Sequence, residues 1–96
     1  MAEYARVVTF AADAAALEAL LKEINASGGA PEDMPATRIT VLADRAAGKV
    51  VVAVRFGSEE DLRKGSEMFE AMSPPDVGSM RRLSVDAYEV VLERQA

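Results

Sequence analysis

Three groups of side chains in this 96-residue chain have the types and spacing for chemistry. Asp86 and Tyr88 are two residues apart, so in an extended strand they share one face. A phenol beside a carboxylate can polarise a carbonyl or hydroxyl group of a ligand, or pass a proton. The plainer role for Tyr88 is packing at an interface with its hydroxyl at the rim, with Asp86 paired to Arg6 on a neighbouring strand. Arg55 stands in a run otherwise rich in valine, K-V-V-V-A-V-R-F at 49–56. It must meet a carboxylate or reach an edge, unless it holds an anionic ligand. Met68, Phe69 and Met72, with Met80 further on, offer flexible and aromatic surface for an adaptable apolar pocket, or simply fill a core. Arg55, Met68, Phe69, Met72, Asp86 and Tyr88 are therefore the candidate ligand-binding residues, and no catalytic residue is assigned.

Composition removes many other chemistries. The chain has no Cys and no His, which excludes disulfides, thiolate nucleophiles, Cys/His zinc sites and an imidazole base. A net charge of −5 argues against nucleic acid, since phosphate binding needs a basic face. Glycine-rich phosphate loops, the G-x-S-x-G elbow and metal-ligand spacings are absent from the sequence, so no metal and no cofactor is expected. Glu59-Glu60-Asp61 reads as the acidic first turn of a helix. An apolar run of 18 residues and a signal-like N-terminus are also absent, and a cytoplasmic protein with no membrane partner is the expectation.

The elements that must position these residues are legible from pattern. Thr37 to Ser58 contains two β-branched runs joined by a polar turn with Gly48, which predicts a β-hairpin. Tyr4–Ala11 has strand composition. Asp13 stands as the N-cap of a helix whose stripe is Leu17, Leu20, Leu21 and Ile24, with Glu18 and Lys22 as an i, i+4 pair off the stripe. Ser27-Gly28-Gly29 ends that helix, and the two prolines of 30–36 make a loop. Ser58 caps a second helix carrying Leu62, Phe69 and Met72 on one face. Gly65 costs that helix about 1 kcal/mol against Ala, so it marks a close approach to the sheet. Ser73-Pro74-Pro75 ends the helix, and Leu83–Leu92 is the last strand.

The order β-α-β-β-α-β in one domain, 1–96, predicts an α+β, ferredoxin-like fold. It has a four-stranded antiparallel sheet of order 4-1-3-2 with two helices on one face. Neither set of alternate residues on the last two strands is plainly polar. A sheet apolar on both faces is usually covered twice, so a homodimer packed through the sheet is expected.

Four segments carry a family resemblance: A-R-V at 5–7, D-R-A-A-G-K at 44–49, F-G-S-E-E-D-L at 56–62 and S-V-D-A-Y-E-V at 84–90. They resemble small bacterial proteins of the dimeric α+β barrel superfamily, in particular the antibiotic-biosynthesis monooxygenase-like group. The resemblance implies a ferredoxin-like protomer, a dimer whose sheets form a barrel, and, in the enzymes, cofactor-free oxidation of polycyclic aromatic substrates by oxygen. Those enzymes resemble one another in carrying Trp, Asn, Tyr, Arg or His around the cavity. Here Trp and His are missing, and Asn25 lies near the end of the first helix. Two readings follow: a homodimer that binds or oxidises a small apolar or aromatic molecule without a cofactor, or a non-catalytic dimerisation and regulatory ligand-binding module.

Overall fold

The alternation of apolar residues along the central strands is what assembles this molecule. The computed structural model describes residues 2–27, 33–71 and 80–96. Within these, the elements are β1 (Glu3–Ala11), α1 (Ala14–Ser27), β2 (Ala36–Asp44), β3 (Lys49–Phe56), α2 (Glu59–Ala71) and β4 (Arg81–Val90). The four strands form one antiparallel sheet of order β2-β3-β1-β4, which is the expected 4-1-3-2 order read from the other edge.

Val50, Val54 and Phe56 alternate along β3, and all three are fully buried. Val50 packs with Ala16, Leu17 and Leu20 of α1, whereas Val54 and Phe56 pack with Leu62, Met68 and Phe69 of α2. Both helices therefore cover the same face. Cross-strand partners share a face, so Tyr4, Arg6, Val8 and Phe10 of β1 lie on the helix side opposite Phe56, Val54, Val52 and Val50. Ala5, Val7 and Thr9 face the other way.

Local chemistry sets the boundaries. The Asp13 Oδ1 accepts the Ala16 amide at 2.8 Å, and the Ser58 Oγ accepts the Asp61 amide at 3.1 Å, capping both helices as expected. Gly48 takes φ +68°, the left-handed conformation that closes the hairpin turn, where the Asp44 carboxylate also accepts the Ala47 amide at 3.0 Å. Gly65 is buried against Phe56 and Met34, the close approach its sequence position implied. Glu18 has a different partner from the one expected: its carboxylate meets Arg45 of the hairpin turn at 3.3 Å, tying α1 to β2–β3. No helix among the described residues is long and apolar enough to cross a membrane.

Two bulges redirect side chains. Between Thr9 and Phe10 the β1–β4 register slips, so Thr9 faces Ser84 but Phe10 faces Arg82, leaving Leu83 extra on β4. Between Ala36 and Arg38 the β2–β3 register slips likewise, and the Thr37 hydroxyl donates to the Arg55 carbonyl at 3.3 Å.

Candidate functional site

A strand at the sheet edge with neither face covered is where a site can open. Every residue from Arg81 to Glu89 on β4 is exposed, whereas its neighbour β1 is buried or half-buried throughout. On the helix side, Val85 and Ala87 stand opposite Val8 and Arg6. α2 contributes Phe69 and Glu70 beside them.

Arg6 is the organising side chain. It is 6% exposed, the single buried charged residue among those described. Its guanidinium stacks over the Phe69 ring at 4.9 Å from the centroid, a cation–π contact strengthened by desolvation. Its Nη2 donates to the Glu70 Oε1 at 2.8 Å, while the buried Nε has no partner among the described residues. The same Glu70 oxygen accepts from the Arg82 Nη1 at 3.0 Å. Arg82 reaches Glu70 because the bulge at Leu83 turns it to the helix side. Two guanidiniums thus converge on one carboxylate oxygen, next to exposed apolar strand.

Further along the same face, Tyr4 lies between Phe56 and Glu89 in the register. Desolvation, followed by the negative charges of Glu59 and Glu89, holds its phenol above the ordinary tyrosine value. Tyr4 is therefore a neutral hydrogen-bonding group at physiological pH.

The sequence-derived candidates divide between the two faces. Met68 and Phe69 pack on the helix side. Arg55, Asp86 and Tyr88 lie on the helix-free side, where Arg55 and Tyr88 flank Ala5 in a single cross-strand row. Met72 lies outside the described residues. The Arg55 Nη1 and Nη2 donate to the two Glu93 carboxylate oxygens at 3.0 and 3.2 Å, and Nη2 also lies 3.4 Å from Glu3. The hydrogen bond and charge of Arg55 hold the Glu93 carboxyl below the usual glutamate value. The structural pairing expected for Arg55 is thus present, with carboxylates at both ends of the chain.

The expected Arg6–Asp86 pair is not formed. Asp86 stands opposite Val7, and Arg6 stands opposite Ala87 on the other face of the sheet. A one-residue difference in register decides the matter, because neighbouring strand residues point to opposite faces. Arg6, Glu70 and Arg82 were not among the candidates. Their signal in the sequence is the charged Arg6 at the centre of an apolar strand, whose carboxylate partner is Glu70 of α2 and not Asp86 of β4.

Topology, register and helix placement together define a ferredoxin-like protomer, the fold the sequence predicts. No protein-family model and no curated protein matches the chain. Among solved structures, the chain is similar to the heme-degrading protein MhuD from Mycobacterium tuberculosis with two hemes bound in its active site. That match has 18% identity and a TM-score of 0.69, over 96% of this chain and 99% of that one. It is also similar to a variant of MhuD with two manganese protoporphyrin IX molecules per active site, at 19% identity and TM-score 0.67 over 97% and 99% of the two chains. A third likeness is to Rv0793 from Mycobacterium tuberculosis, at 18% identity and TM-score 0.56 over 98% of each chain. At these identities the likeness is one of fold.

Proposed function

We propose that this chain binds a small planar, largely apolar molecule on the helix side of β1 and β4, and does so as a homodimer paired through its helix-free sheet faces. The observation that carries the first part is Arg6: a buried guanidinium with a free Nε and a stacked aromatic ring, facing an edge strand whose Val85 and Ala87 are uncovered. Apolar surface next to a few fixed polar groups is the usual composition of a ligand site. Phe69 supplies its ring, and the Tyr4 phenol supplies a neutral hydrogen-bonding group further along, while Met68 packs in the core with Met34, Val54 and Phe56. Two of the similar structures hold paired porphyrins, so this fold has room for large flat rings. The present chain lacks His and Cys, so imidazole or thiolate ligation of an iron is unavailable and the reading concerns the ring system.

The second part is supported by the helix-free face. Leu42 and Tyr88 are more than half exposed there, in rows with Val51 and Ala5. Arg55 is mostly buried and has an unpartnered Nε even in the isolated protomer. Asp86 and Tyr88 then belong to the interface, with Arg55 anchored at one end of it.

The ligand proposal is tested by titrating the 15N-labelled protein with 1,8-dihydroxyanthraquinone, a neutral flat ring system. Saturable shifts confined to β1, α2 and the helix-facing residues of β4 are expected. Absence of binding up to millimolar ligand, or shifts confined to the Leu42–Tyr88 face, would overturn the assignment. The dimer is tested separately by light scattering, where a mass equal to a single chain at micromolar concentration would end that part.

A further inference from the structure

The charge arrangement around Glu70 specifies the ligand class further, an inference that rests on the ligand surface described above. Arg6 and Arg82 belong to different strands and different cross-strand rows, separated by the Val8–Val85 row. Both nevertheless donate to one oxygen, Glu70 Oε1, at 2.8 and 3.0 Å. Two guanidiniums against one carboxylate leave an excess positive charge. The Glu70 side chain is 52% exposed, and so is half of Arg82. Solvent screening makes such an exposed pair weak. The buried Arg6 is different: it needs an anion nearby, and the carboxylate it reaches among the described residues sits on a long, half-solvated side chain that can swing outward.

We propose that Arg6 and Arg82 form a carboxylate-binding fork, that Glu70 occupies it as an internal stand-in, and that the ligand is a planar aromatic acid whose carboxylate displaces Glu70. The ring of such an acid then runs over Val85 and Ala87 beside Phe69, while its carboxylate takes the Nη groups that Glu70 vacates. Glu70 keeps Arg6 compensated in the empty protein and competes with the ligand in proportion to its own charge.

The test compares anthraquinone-2-carboxylate with neutral anthraquinone-2-carboxamide, by calorimetry at fixed low ionic strength, on the parent chain, Glu70→Gln and Arg82→Gln. Both substitutions are at half-exposed side chains, and an unchanged circular dichroism spectrum verifies the fold. The parent is expected to prefer the acid. Arg82→Gln is expected to weaken the acid roughly fivefold to tenfold, the loss of one charge-assisted hydrogen bond, while leaving the amide within about twofold. Glu70→Gln is expected to tighten the acid about threefold or more by removing the competing charge, again without effect on the amide. Equal binding of acid and amide to the parent, or an acid-to-amide ratio unmoved by both substitutions, overturns the carboxylate fork while leaving the ligand surface standing. Failure of both compounds to bind overturns the ligand surface and the fork together.

Discussion

Replacing Gly65 by Ala probes the packing that sets α2 on the sheet. In an open helix this change stabilises by about 1 kcal/mol, because Ala loses less backbone entropy. Here a Cβ at position 65 would lie 2.6 Å from the Phe56 Cζ and 3.1 Å from the Met34 Sδ. Carbon contacts are comfortable at about 3.5–4.0 Å. Phe56 is 0% exposed and walled by Met34 and Val54, so its ring has nowhere to turn. The helix must lift instead, opening the Leu62–Phe69 side of the core. Overpacking costs about 1–3 kcal/mol, and contacts this short against an immobile ring belong at the upper end, about 2–3 kcal/mol; less the helix gain of about 1 kcal/mol, the net loss is about 1–2 kcal/mol. For a domain of this size that lowers Tm by about 5–15 °C. Urea and thermal unfolding of Gly65→Ala measure it. In a Phe56→Leu background the obstructing ring carbons are gone, and the same change is expected to become neutral or stabilising, giving a coupling of about 1 kcal/mol or more. A Tm at or above the parent's for Gly65→Ala, or an unchanged penalty without the ring, would refute the reasoning.

Other perturbations separate backbone, capping and charge effects. Gly48→Ala is expected to cost about 1 kcal/mol through its left-handed φ, whereas Gly57→Ala, with no positive φ and no atom within 4 Å of the new Cβ, stays within about 0.5 kcal/mol; urea midpoints compare them. Asp13→Ala removes the acceptor for the Ala16 amide and is expected to cost about 1 kcal/mol in the same assay, with Asp13→Asn retaining most of it. NMR titration of the Glu93 carboxyl is expected to give a midpoint below the ordinary glutamate value, restored by Arg55→Gln. Because the folded value is the lower one, the contact adds stability above the ordinary glutamate pKa, and this is lost as pH falls through the folded value. Ultraviolet titration of Tyr4 is expected to end above the ordinary tyrosine value and to move down in Glu89→Gln.

Local chemistry was readable directly from residue order. Asp13, Ser58 and Gly48 act through atoms only a few residues away, so their caps and turn appear at the positions the sequence indicates. The Val50–Val54–Phe56 alternation marked one face of β3 for burial, and Gly65 marked the close approach of α2, since only a missing Cβ lets a helix come so near a ring. The strand order followed from element order and the short, right-handed connections such a chain permits.

Which groups meet across strands was decided by tertiary structure. Arg6 and Asp86 are on adjacent strands, but the β1–β4 register puts them on opposite faces, and no property of either residue reveals that parity. Arg82 shares its even number with Ser84, Asp86 and Tyr88, yet the bulge at Leu83 turns it to the helix side to meet Glu70. By the same logic the ligand candidates, adjacent on paper, are separated by the thickness of the sheet: Phe69 and Met68 on one side, Arg55, Asp86 and Tyr88 on the other. Amino-acid sequence determined the caps, the buried stripes and the order of elements because these depend on neighbours along the chain. The convergence of Arg6, Arg82 and Glu70 depends on a hydrogen-bond register and one extra residue, and those exist only once the strands have paired.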